Sequence, residues 1–212
     1  MLAGIKTLVF DLDGTLYVCD DLAREIKICA SRYIASLTGV ETDDARLLIE
    51  NTKKKLSVLS GLEATLSEAC LELGGDIKHL HHLFAEEINP ELFLKKDVGL
   101  VNLLQKLEDQ FELHIYTNNN RILTDKILKS LGVSSLFQKV FTIESFWSPK
   151  PDFSALENIF TLIDRVPAEC LFIGDRYDVD LRLPAKMGSA VFLSKNIQEL
   201  MVLLKILYEE NL

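Results

Sequence analysis

Asp11 and Asp13 stand two residues apart at the end of an apolar run, in the string Asp11-Leu12-Asp13-Gly14-Thr15. Residues i and i+2 of a strand share a face, and Gly14 signals that the chain turns at once. Both carboxylates can therefore converge beyond the strand end. Two carboxylates at one point repel unless a cation lies between them or one holds a proton. A hard divalent cation with oxygen ligands answers that need and leaves room for a phosphate. Such a pair suits a metal-assisted site in which one carboxylate attacks and the other moves a proton. A capped turn after a strand would use the same residue types, so the pair gains meaning only from what accompanies it.

Three further segments carry suitable chemistry. Thr117-Asn118-Asn119-Asn120 offers a hydroxyl, amide side chains and the free amides of a helix start, a combination fit to cradle phosphate. Lys150 lies between Pro149 and Pro151, a fixed positive charge on a stiffened backbone. Gly174-Asp175-Arg176-Tyr177-Asp178-Val179-Asp180 supplies more carboxylates. Each of the three follows or adjoins an apolar run, where open α/β sheets place their ligands.

The elements that must position these residues are legible as patterns. Apolar runs predict strands at about 5–10, 111–116, 139–143, 170–174 and 189–193. Cys170–Ile173 and Ala190–Leu193 are continuously apolar, as in strands covered on both faces. Between them, Leu100, Leu103, Leu104 and Leu107 follow helical spacing. Ile122–Leu131 predicts a helix closed by Gly132, and Asp152–Asp164 one begun near Pro151. This alternation implies a parallel α/β sheet, Rossmann-like, flanked by helices.

Residues from about 20 to 90 break the alternation and read as helices only. Leu22, Ile26, Cys29, Tyr33 and Leu37 form one stripe. Thr42 is suited to cap the next helix, with Asp43 and Asp44 in its first turn. Ser60 with Glu63 has capping-box spacing, and Gly74-Gly75 before Asp76 marks another break. The chain is therefore divided into an α/β core, 1–18 and 92–212, and a helical insert, 19–91. Hinges are expected near Tyr17–Asp21 and Asn89-Pro90.

A formal net charge of -9 argues against a nucleic-acid polymer as partner. It leaves open a phosphorylated small molecule, because a bound metal reverses the local field. The four cysteines, Cys19, Cys29, Cys70 and Cys170, form no C-x-x-C pair and fit a reducing compartment. No secretory pattern opens the chain. The most apolar stretch, Ile197–Leu207, is far shorter than the ~20 residues of a membrane span. A cytoplasmic protein without membrane association is expected.

In order, the four chemical segments resemble the motifs of the haloacid dehalogenase (HAD) superfamily, across essentially the whole chain. Asp11–Thr15 is similar to motif I, Thr117-Asn118 to motif II, Lys150 to motif III, and Gly174-Asp175 through Asp180 to motif IV. The insert resembles a C1-type cap. The resemblance implies a Mg²⁺-dependent phosphatase. Asp11 would be the nucleophile that becomes an aspartyl-phosphate. Asp13 would be the general acid and base. Thr117, Asn118 and Lys150 would bind the phosphoryl group. The metal would be held by Asp11, the main-chain carbonyl of Asp13, and Asp175, with Asp180 behind them. Asp178 competes with Asp180 for that last place, and Asp180 is preferred because a helix is expected to start there. Arg176 stands where many relatives carry serine.

The same resemblance leaves the substrate open. Thr15-Leu16-Tyr17 and Thr117-Asn118-Asn119 look most like the pyrimidine 5′-nucleotidase branch, which implies a nucleoside monophosphate. Phosphoglycolate phosphatase-like, sugar phosphatase and phosphomutase branches are the alternatives. A non-catalytic binding module is a reading of another class, for which lost motif residues would be the mark. Tyr17, Tyr33 and Phe84 are candidates to line a pocket, although aromatic residues at this spacing usually fill cores. His79 and His82 share a helix face, but a solvated surface is the expected reading of the His79, His81 and His82 cluster.

Overall fold

The computed structural model describes residues 4–210; the outermost residues of the expected core segments, 1–3 and 211–212, lie outside them. The apolar runs form β1 (Thr7–Phe10), β2 (Glu112–Tyr116), β3 (Lys139–Phe141), β4 (Cys170–Gly174) and β5 (Ala190–Leu193). All pair in parallel, in the order β3-β2-β1-β4-β5. β1 is central, with Phe10 opposite both Ile115 and Ile173. Its four residues and all five of β4 are buried, because helices cover both faces. β5 departs from expectation. Its four residues are only half-buried, since it is an edge strand paired with β4 alone.

The insert between β1 and the rest of the sheet is helical, as its pattern predicts. It comprises α1 (Asp20–Thr38), α2 (Thr42–Ser60), α3 (Leu66–Glu72) and α4 (Ile77–Glu87), then a short turn at Pro90–Leu92. Thr42 begins α2 rather than capping it, with Asp43 and Asp44 in the first turn. The capping box expected from Ser60 and Glu63 does not form. Ser60 ends α2, where its hydroxyl donates to the Leu56 carbonyl, and Gly61 takes a left-handed φ of 69°. The next helix starts later, at the same three-residue spacing. Thr65 Oγ1 accepts from the Glu68 amide, and Glu68 Oε2 accepts from the Thr65 amide at 2.6 Å. Asp76 caps α4, as its position after the glycines suggests.

α5 (Val98–Glu108), α6 (Arg121–Leu131), α7 (Ile143–Phe146), α8 (Phe153–Ile163), α9 (Arg182–Met187) and α10 (Ile197–Glu210) complete the fold. Asp152 caps α8, so Pro151 falls just ahead of that helix rather than in its first turn. Alternate residues of β1 face opposite sides of the sheet, so two apolar clusters form. Leu8 and Phe10 join Leu113, Ile115 and α5, and that cluster continues into the insert through Leu22, Ile34, Leu80 and Phe84. Val9 faces Phe172, Ile159 and Phe160. Lys126 of α6 also donates to the carbonyls of Ala85 and Ile88, at the end of α4. The insert is therefore seated over the strand ends by apolar packing and a charged clamp. Among the described residues, no helix is long and apolar enough to cross a membrane.

Candidate active site

The sheet ladder delivers the first residues of the site. Beyond the last residue of β1, the Asp11 amide still donates to the Ile173 carbonyl at 2.8 Å. Past β2, the Thr117 amide donates to Phe141 at 2.9 Å. The chain after Asp11 then folds tightly, with the Gly14 amide on the Tyr17 carbonyl at 2.9 Å. Gly14 has φ +86°, and a Cβ there would lie 2.4 Å from Asp175 Oδ2. Glycine is thus needed for the turn and for the close approach of the carboxylate. Gly174 has a matching role, since a Cβ on it would stand 2.5 Å from the Asp180 Cβ.

Lys150 is the centre of charge. Its side chain is almost fully buried, and Nζ donates to Asp11 Oδ1 at 2.5 Å, Asp180 Oδ1 at 2.6 Å and the Tyr116 carbonyl at 2.9 Å. All three ammonium hydrogens are thereby used. The Lys150 amide is held in turn by Asn118 Oδ1 at 2.8 Å. Asp180 gives its second oxygen to the Arg176 amide at 3.1 Å. Its chain segment is one wide helical turn, Tyr177–Leu181, ahead of α9, rather than the start of a regular helix. Asp178 does not reach Lys150; its Oδ2 accepts from the Glu63 amide at 3.4 Å, across to the insert.

Asp13 is held from two sides. The Tyr17 hydroxyl donates to Asp13 Oδ1, and Asn119 Nδ2 donates to Oδ2 at 2.6 Å. Thr117 Oγ1 accepts from the Asn119 amide at 3.1 Å, which leaves the hydroxyl hydrogen for another oxygen. Thr15 Oγ1 lies 3.4 Å from Asp11 Oδ2.

Burial and crowding push these acids upward. Asp11 rises to about 7, through burial first and then Asp180, with Lys150 pulling the other way. Asp175 rises to about 6 through burial and Asp180, against Arg176. Asp13 is also raised by burial, and the Tyr17 hydrogen bond opposes the rise. Oxygens of Asp11, Asp175 and Asp180 lie within 4.8 Å of one another, the one such group among the described residues. Asp175 Oδ1 is buried without a hydrogen-bond partner. Three acids around one spot, with too little positive charge between them, have the character of a divalent-cation site.

The chemistry is thus joined by sequence and geometry. The family model of haloacid dehalogenase-like hydrolases matches residues 5–188. The chain belongs to that family. It is therefore an enzyme of the hydrolase class. It is 25% identical over 193 residues to a phosphoglycolate phosphatase of Aquifex aeolicus, covering 90% of this chain and 84% of that one. It is 25% identical over 185 residues to the pyrophosphatase PpaX of Listeria innocua, covering 84% and 77%. Among solved structures, a HAD phosphatase from Thermococcus onnurineus superposes with a TM-score of 0.64 at 19% identity, covering 94% of this chain and 98% of the other. That last likeness shows the shared fold.

Within this HAD hydrolase, a cavity of about 420 Å³ opens between the strand ends and the insert. Asp13, Asn118, Asn119, Asp175 and Arg176 line its floor, and α1 to α4 supply its roof. Tyr17 and Phe84 line it as well as being buried. Tyr33 does not; its hydroxyl accepts from the Asp76 amide at 2.7 Å and its ring packs on His79. The histidines do not converge on a metal among the described residues. His82 pairs with Glu86 at 3.2 Å on the surface. His81 overturns the expectation of a solvated face. It is buried in the insert's wall of the cavity with Nε2 3.3 Å from Ser67 Oγ, because its position turns inward beside Phe84.

Two contributors are new relative to the motif pattern. Asn119 was visible only as one of three successive asparagines, and Tyr17 only as an aromatic residue after motif I. For Tyr17 the available signal is a hydroxyl four residues after Asp13, which one tight turn folds back onto the carboxylate.

Proposed function

We propose that this chain is a phosphatase that hydrolyses a small phosphorylated metabolite through an aspartyl-phosphate on Asp11. The observation that carries the reading is a buried Asp11 fixed by Lys150, beside an Asp13 whose carboxylate faces a cavity. An Asp11 oxygen would attack phosphorus as the ester P–O bond breaks. Asp13 would give its proton to the departing alkoxide. A water would then attack phosphorus, lose its proton to Asp13, and release phosphate, restoring Asp11. Thr117 and Asn118 would bind phosphoryl oxygens through their free hydrogens. Lys150 would mainly hold the charge and direction of Asp11, since its own hydrogens are engaged.

The residues present suit Mg²⁺, because Asp175 Oδ1 is a buried oxygen lacking a hydrogen-bond partner while both oxygens of Asp180 are taken by Lys150 and the Arg176 amide. Asp11, the Asp13 carbonyl and Asp175 would hold the ion, with Asp180 behind them, and it would supply positive charge against the phosphoryl oxygens. We assign residues 19–91 the part of a cap over the strand ends. The lean towards a nucleoside monophosphate draws no support from the relatives, which are called phosphoglycolate phosphatase and pyrophosphatase. The coarser class, a small phosphorylated molecule, is the one we retain.

The test is phosphate release from p-nitrophenyl phosphate by the purified chain with Mg²⁺. Asp11→Asn should abolish it. Full activity in that variant, or a protein inert across a broad phosphate panel, would remove this reading and favour a binding module.

A further inference from the structure

Lys27 of α1 and Lys53 of α2 line the same cavity as Asp13, Asn118 and Asp175, on the wall formed by the insert. Both residues also line a narrow cleft of about 30 Å³ between the two helices, together with Arg46 and Glu50, so they lie on one stretch of the wall. Neither ammonium has an ion-pair or hydrogen-bond partner among the described residues. The other cation of this cavity behaves differently: Arg176 has Asp175 at 3.8 Å and Glu63 at 4.0 Å. Asp20 and Glu63 also line the cavity, yet neither lies within ion-pair distance of the lysines. Glu50 borders the cleft but makes no ion pair with either lysine, so two like charges on one wall repel with little to offset them. A bound anion would offset that repulsion with charge-assisted hydrogen bonds.

We propose that Lys27 and Lys53 form a second anion subsite, so the preferred substrate carries a negative group besides the phosphoryl group that is cleaved. The inference rests on the phosphatase reading. The phosphoryl end lies at Asp11 and Thr117, and the remote carboxylate or phosphate reaches the lysine wall. Binding energy from that remote group would orient the reacting phosphorus. A phosphorylated hydroxy acid and an inorganic or organic diphosphate share this chemistry. A nucleoside or alkyl monophosphate lacks the second anionic group.

Steady-state rates separate these sources. The wild type should show a higher kcat/KM, by about tenfold or more, for 2-phosphoglycolate or pyrophosphate than for ethyl phosphate or uridine 5′-monophosphate. Preference for phosphoglycolate assigns a carboxylate to the subsite, and preference for pyrophosphate a phosphate. In Lys53→Gln and Lys27→Gln, the ratio of kcat/KM for the preferred two-headed anion over ethyl phosphate should fall about tenfold, carried chiefly by KM. Equal use by the wild type of substrates with and without a second anionic group, or an unchanged ratio in both variants, overturns the proposal.

Binding to Asp11→Asn, which is expected not to turn over, gives a readout independent of catalysis. Phosphoglycolate or pyrophosphate should raise its thermal midpoint in the presence of Mg²⁺, and added Lys53→Gln should cut that shift. A shift unaffected by Lys53→Gln refutes the subsite even where the phosphatase reading holds. A shift that depends on Lys53, in a protein whose wild type releases no phosphate, keeps the subsite and refutes the phosphatase.

Discussion

Asp11 and Asp180 share a single ammonium, that of Lys150, at 2.5 Å and 2.6 Å. All three groups are buried, so the arrangement is costly to desolvate and more costly to leave half-made. Lys150→Met removes the cation and leaves two buried carboxylates facing each other. The expected loss is about 3–5 kcal/mol of stability, together with nearly all activity. The double variant Lys150→Met/Asp11→Asn should regain much of the stability and none of the activity. Urea denaturation of the three proteins checks this; equal midpoints would mean that the pair adds nothing.

Tyr17 and Asn119 both donate to Asp13, so they favour its ionised form. The proposed first step needs Asp13 protonated. Tyr17→Phe removes a donor, so Asp13 should hold its proton to higher pH. The alkaline limb of kcat/KM should move upward, while kcat/KM at its optimum falls by about tenfold as the carboxyl loses its fixed direction. A pH–rate profile with an unmoved limb would leave Tyr17 a packing residue only.

The strands and the four motif segments were legible because their signals are local. An apolar run of five residues needs no partner to be read, and Asp11, Thr117 and Asp175 each sit just past such a run, while Lys150 is marked by the prolines on either side of it. Their junction depends on parallel register, which strand-helix alternation already implies. What escaped the sequence is set by neighbours. Ala190–Leu193 is as apolar as Cys170–Ile173 but lies at an edge. Ser60 and Glu63 have the spacing of a capping box, yet Gly61 ends the preceding helix between them. Asn119 and Tyr17 act through a turn whose path no periodicity describes, and His81 is buried by the packing of α3 on α4.

The raised acids link cation binding to pH. Asp11 at about 7 and Asp175 at about 6 hold protons in the metal-free fold at pH values where unfolded carboxylates do not. Their contribution to metal-free stability therefore falls as pH rises from about 4 to 7. A cation must displace those protons. Saturating Mg²⁺ should raise the thermal midpoint by several degrees at pH 7.5 and by little at pH 5.5. In Asp175→Asn the shift at pH 7.5 should largely disappear. Chelation should abolish activity, and Mg²⁺ should restore it. A Mg²⁺ shift of the same size at both pH values would separate these carboxylates from cation binding.

His81 contributes with the opposite sign. Burial lowers its pKa from 6.5 to about 4, so it stays neutral in the fold while the unfolded chain takes up a proton below pH 6.5. Between those limits the unfolded state binds more protons, and stability drops as pH falls. The full difference is about 3 kcal/mol at pH 4, most of it lost between pH 6 and pH 4. Asp11 and Asp175 change in the other direction over part of this range, so the comparison must be between proteins and not between pH values alone. His81→Gln keeps a polar group near Ser67 but cannot take up the proton. It should be somewhat less stable than the wild type at pH 7 and should lose less on acidification. Urea midpoints at pH 7 and pH 5 for both proteins measure the difference. Parallel losses in the two would show that His81 is not the group that acid unfolding must protonate.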